Sequence, residues 1–221
     1  MDRESLLAWL KKKLGTGDYI AFVADNESCV PLLLDIIETD KGSTKFLCEK
    51  IVRGLSETRP EVLYPYFDRM ARLMDSQNNF IKYGFLLTLP NMLAADPEEK
   101  WNSILGKYLS FLDTEQIPVY GNVVSNLWKI LKKYPGYEEI IVPKLLSIDS
   151  HVFMHKNAVS PECVNVAKGH ILDCFEKLYA SSRFKKEMLC FAEESLDNSR
   201  NQVRIKAKAL IKKHKAPAVS R

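Results

Sequence analysis

The chain has 221 residues, 46% of them hydrophobic and 27% charged, with a formal net charge of +4. That composition is too apolar for a disordered chain, and the length suits one ordinary domain or one elongated array. Nine glycines are too few for an all-β sandwich, which needs a turn signal about every 8–12 residues.

The stretch from Met1 to Lys13 places acids before a short apolar run and Lys11, Lys12 and Lys13 after it. This is the reverse of a signal peptide, so it reads as a first amphipathic helix. Gly15-Thr16-Gly17-Asp18 lacks the Gly-Lys-Ser/Thr ending of a phosphate loop and reads as a turn between helices. Helical spacing then recurs along the chain: Leu47, Cys48, Ile51, Val52 and Leu55; Val62, Leu63, Tyr66, Phe67, Met70, Leu73 and Met74; and Trp101, Ile104, Leu105, Tyr108, Leu109 and Leu112. Further on come Tyr120, Val123, Val124, Leu127, Ile130 and Leu131, and finally Val203, Ala207, Leu210 and Ile211. Short breakers separate them, among them residues 39–44, 75–79, Asp96-Pro97, Tyr134-Pro135-Gly136 and Asp197-Asn198-Ser199, and short links imply antiparallel neighbours. No comparable strand alternation occurs, which predicts an all-α fold.

Glutamate followed four residues later by proline occurs at Glu27/Pro31, Glu61/Pro65 and Glu139/Pro143. The separations of 34 and then 78 residues, or two steps of 39, point to a repeat of two helices, with a shared bend in each first helix. Asn198-Ser199-Arg200-Asn201-Gln202-Val203-Arg204, followed by Ala207 and Leu210, matches the second-helix pattern of the HEAT repeats, and Asn78-Asn79-Phe80-Ile81-Lys82 is a looser copy. Over residues 20–215 the chain thus resembles the HEAT-repeat family. The resemblance implies a right-handed α-solenoid of about five to six antiparallel hairpins, spanning 1–215 as a single domain before a flexible tail at 216–221. It also implies a concave wall built from the second helices.

The strongest charge feature is the C-terminal segment 197–221, with eight Lys or Arg against the single acid Asp197; the remaining 196 residues sum to −3. Arg200, Arg204, Lys208 and Lys212 recur every four residues as a stripe, which reads either as a solvated cap of the last repeat or as a surface for an acidic partner. Asn78, Asn79, Asn122, Asn126, Asn165 and Asn201 are mediocre helix formers placed in second helices. There they can bond between repeats or line the concave face.

His151 and His155 have the i, i+4 spacing by which a helix presents two ligands to zinc, but Val152 stands where a zincin has its glutamate, so surface histidines are expected. Cys163, His170 and Cys174 share a helix face with Val166, Ala167, Ile171 and Phe175, which favours a packed core over a metal site or a nucleophile pair. The five cysteines are scattered and odd in number, which fits a reducing cytoplasm rather than a disulfide framework. No apolar run approaches the roughly 18 residues of a membrane span.

The expected function is therefore a non-enzymatic scaffold, without cofactor or metal, that binds a protein or peptide, an acidic one suiting the basic end. The expected contacts are Lys82, Asn122, Asn126, Arg200, Arg204 and Lys208, on a monomer or weak homodimer. The competing expectation is a nucleic-acid-binding protein of the HEAT-like DNA glycosylase type, with Trp101, Tyr120 and Trp128 as stacking aromatics and Asp113 as the acid.

Overall fold

A computed structural model describes residues 1–214; the expected tail at 216–221, with Lys215 and Arg221 of the basic segment, lies outside the described residues. The chain divides into two compact units, Met1–Tyr108 and Leu109 onward. Among the described residues it is helical apart from two two-residue strands.

In the first unit the helices are α1 (Arg3–Leu10), α2 (Thr16–Asp25), α3 (Val30–Thr39), α4 (Thr44–Thr58), α5 (Pro60–Leu63), α6 (Phe67–Arg72), α7 (Asn79–Thr88) and the start of α8 (Trp101–Ser110). Side-chain caps fix where several begin. Asp2 accepts from the Ser5 amide at 2.8 Å, and the Asn78 Oδ1 accepts from the amides of Phe80 and Ile81 at 3.1 and 3.3 Å. Each cap satisfies donors that the first helical turn leaves without partners. The apolar face of α4 packs between α2, α3 and α7, burying Cys48, Ile51, Val52 and Leu55 completely.

The second unit holds α9 (Ile117–Val124), α10 (Leu127–Lys133), α11 (Glu138–Leu146), α12 (Pro161–Leu178), α13 (Lys185–Glu194) and α14 (Asn201–His214). Here α12 is the central element, packed on α9, α10 and α14, with Ala167, Ile171, Cys174 and Phe175 fully buried.

Three expectations need correction. The apolar runs 61–74 and 120–131 are each interrupted: a tight turn at Tyr64–Tyr66 parts α5 from α6, and Ser125 and Asn126 part α9 from α10. The three prolines do not share one bend. Pro31 is the second residue of α3, Pro65 sits in the tight turn, and Pro143 lies inside an uninterrupted α11. A proline at a helix start loses no hydrogen bond, so position within the helix decides its effect. His151 and His155 are not on a helix. Strand β1 (Met154–His155) pairs antiparallel with β2 (Ala158–Val159), and Lys156 and Asn157 turn between them with φ of 49° and 62°. Two successive positive φ values make the tight primed turn that suits a two-residue hairpin loop.

The ion pairs repeat in register along the chain. Glu38 holds Arg69 at 2.7 Å, Asp75 holds Lys107, and Asp113 holds Lys144. Their separations are 31, 32 and 31 residues, and the acids stand at or just past the ends of α3, α6 and α8, with the bases on α6, α8 and α11. The first two pairs lie within the first unit and the third within the second. Some helices approach closely: α7 carries Gly84 against the buried Glu49 of α4, and α9 carries Gly121 against the His170 ring of α12, where a Cβ would lie 2.7 Å from Nε2.

Candidate functional site

Lys82 lies half-buried on α7 in the first unit, with Phe80 and Tyr83 on the same helix. Phe80 is 71% exposed. Its ring meets Phe46 of α4 edge-on at 5.8 Å and Tyr83 at 6.5 Å, and the Lys45 ammonium lies 5.4 Å from the Phe46 centroid. A single exposed leucine would need no explanation, but an aromatic cluster open to solvent beside cations is a surface ready for a partner.

The other expected contacts fall in the second unit and are used unequally. Asn126 is buried at the joint between α9 and α10, where its amide donates to the Asn122 carbonyl at 3.1 Å and its Oδ1 accepts from Lys129 at 2.8 Å. It holds the break in place, which accounts for an asparagine at that position. Asn122 is half-buried on α9. Arg200 pairs with Glu162 of α12 at 2.5 Å, and the Asn165 amide together with Arg200 holds the Glu162 carboxyl below the usual carboxylate range. Asn165 also bonds Ser199 and Asn198 at 3.1 and 2.8 Å, so this asparagine links α12 to the segment that leads into α14.

Arg204 folds back on the carbonyls of Asn198 and Ser199, at 2.7 and 2.9 Å, which satisfies loop acceptors rather than facing outward. Lys206 pairs with Asp173 at 2.6 Å, and Lys213 with Glu176. Of the stripe itself only Arg200 is docked on an acid of α12; Arg204 turns back on the loop, and Lys208 and Lys212 stay exposed without a described ion pair.

A constellation that local sequence pattern does not reveal lies beside this ladder. The half-buried indole of Trp128 on α10 has three ammonium groups near its ring, those of Lys129, Lys132 and Lys177 at 5.5, 4.9 and 5.5 Å from the centroid. Each such contact stabilises by about 0.5–1 kcal/mol when exposed, since the ring quadrupole attracts a cation. Lys177 also edges a cavity of about 440 Å³, whose walls include Ser125, Leu172, Ala209 and the pairs Asp173–Lys206 and Glu176–Lys213.

Ser125, His170 and Cys174 are committed to packing. The Ser125 hydroxyl donates to the Gly121 carbonyl at 2.7 Å and lies 3.1 Å from His170 Nδ1. Burial and the Lys206 cation, opposed by Asp173, push the His170 pKa down. Burial raises the Cys174 thiol to about 12, far from a thiolate at neutral pH. His151 Nε2 donates to the Thr114 carbonyl at 2.8 Å, and its ring meets Phe153 and Tyr120 at a tilt. Among the described residues no three His, Cys, Asp or Glu side chains group as metal ligands would.

Trp101 in the first unit and Tyr120 in the second are buried, and Asp113 is held by Lys144. Of the three aromatics expected to stack on a base, Trp128 alone reaches the surface. No helix among the described residues is long and apolar enough to cross a membrane. Comparison with family models, with curated proteins and with solved structures gives no match to this chain.

Proposed function

We propose that the chain is a non-enzymatic scaffold, a right-handed HEAT-like α-solenoid of five to six hairpins, whose second helices hold a protein or peptide along a concave wall. The observation that carries this reading is the pair of solvent-facing aromatic and lysine clusters, Phe46, Phe80 and Tyr83 on α4 and α7, and Trp128 with its lysines on α10 and α12. Aromatic side chains beside flexible cations are the residue types that anchor interfaces, because they offer large contact area at small entropic cost. Supporting the repeat geometry is the register of Glu38–Arg69, Asp75–Lys107 and Asp113–Lys144, since stacked equivalent hairpins place equivalent side chains at a constant offset. The committed state of Ser125, His170 and Cys174 favours binding over covalent chemistry. Five unbridged cysteines suit a reducing cytoplasm.

Affinity capture from lysate with the intact chain, beside Phe80→Asp, tests the reading. A discrete protein retained by the wild type and lost by the variant, at unchanged melting temperature, is the expected result. Failure of the wild type to retain any protein above an unrelated helical control would overturn it.

A further inference from the structure

We propose that Trp128, Lys132 and Lys177 form a docking point for an acidic peptide segment, rich in aspartate and glutamate, presented by the partner protein. The inference rests on the scaffold reading and adds the chemistry of what is bound. Three ammonium groups within 5.5 Å of one indole centroid are a concentration of like charge, which the negative ring face holds together. Among the described residues no carboxylate pairs with Lys132 or Lys177. The acids close by on α12, Asp173 and Glu176, are already held by Lys206 and Lys213. The positive charge of Lys132 and Lys177 therefore has no described carboxylate partner, and an incoming carboxylate gains these two ammonium groups without breaking a described ion pair.

A peptide suits the site better than a nucleic acid for two reasons. Phosphate recognition needs a track of many cations, and three of the bases at the C-terminal end, Arg200, Lys206 and Lys213, are engaged by Glu162, Asp173 and Glu176. Base stacking needs an open ring face, whereas the ammonium groups lie over the indole. The cavity beside Lys177, with Leu172 and Ala209 in its wall, accommodates an aliphatic side chain flanked by acids.

Fluorescence anisotropy on the full chain at low salt tests this, using a short fluorescein-labelled peptide of glutamate and leucine and, separately, labelled oligothymidine. Lys132→Ala/Lys177→Ala is expected to weaken peptide binding at least about tenfold, since both ammonium partners are lost. Lys11→Ala/Lys12→Ala, which removes the same charge from the exposed end of α1, is expected to change it less than about twofold. Equal weakening by both double variants, tighter binding of the oligonucleotide than of the peptide, or no peptide binding would overturn the proposal. The captured partner separates the two readings. A protein lost by Phe80→Asp but fully retained by Lys132→Ala/Lys177→Ala refutes the docking point alone, whereas a wild type that captures nothing refutes the scaffold itself.

Discussion

Replacing Asp96 with alanine should be among the most damaging single polar changes in the first unit. Its carboxylate is 8% exposed and accepts three hydrogen bonds: Oδ1 from the Tyr64 hydroxyl at 2.7 Å and the Lys100 amide at 2.8 Å, and Oδ2 from the Trp101 amide at 3.0 Å. The last two position the start of α8, and Trp101 there is fully buried with its indole N–H donating to the Leu89 carbonyl at 3.2 Å. Hydrogen bonds to a charged group contribute about 1.5–3 kcal/mol each, and losing them together leaves buried donors unmatched. Allowing for their overlap, Asp96→Ala should cost about 3–5 kcal/mol. Tyr64→Phe removes one of the three and should cost about 1–2 kcal/mol. Urea unfolding of the two single variants and the double variant measures the coupling, expected at about 1–2 kcal/mol. A loss under about 1 kcal/mol for Asp96→Ala, or strict additivity with Tyr64→Phe, would refute the reasoning.

Two further outcomes concern the α9–α12 contact. Gly121→Ala would set a Cβ 2.7 Å from His170 Nε2 and 3.0 Å from Cδ2, on a ring held from its other nitrogen by Ser125; overpacking of about 1–3 kcal/mol should outweigh the helix propensity gained. Thermal melts should show Gly121→Ala destabilised and the loss partly relieved in a His170→Ala background; equal losses in both backgrounds would place the strain elsewhere. Because burial and Lys206 depress the His170 pKa in the fold, the unfolded chain binds the proton more readily. Its contribution to stability is therefore complete above the ordinary histidine value of about 6.5 and declines as pH falls below it toward the depressed folded value. His170→Gln should flatten the decline in urea midpoint between pH 7.5 and 5, and an unchanged slope would count against a depressed pKa.

Much of the fold is legible in the sequence because helices are local. The apolar stripes of α4, α8 and α14, the Asn78 cap and the Ser160-Pro161-Glu162 helix start depend on residues at most a few positions apart. The hairpin at 154–159 escapes such reading: Lys156 and Asn157 adopt positive φ without a glycine to signal it. The breaks at Tyr64–Tyr66 and Ser125–Asn126 are equally hidden, since apolar periodicity runs on through both. The C-terminal bases Arg200, Lys206 and Lys213 look free in sequence because their acids, Glu162, Asp173 and Glu176, stand on a different helix 33–38 residues away. A search for opposite charges at one repeat length would have found them, and the Glu38, Asp75 and Asp113 ladder with them. The Trp128 cluster needs Lys177 brought from α12 by tertiary packing, which no local pattern encodes.

The central claim, that the second helices present the binding surface, is tested most directly by photo-crosslinking in cells from single introduced positions. A photoreactive residue replacing Phe80 or Lys132 should yield a discrete crosslinked protein, whereas one replacing Ile140, 68% exposed on the first helix α11, should yield none. Crosslinking from position 140 with nothing from 80 or 132 would contradict the account.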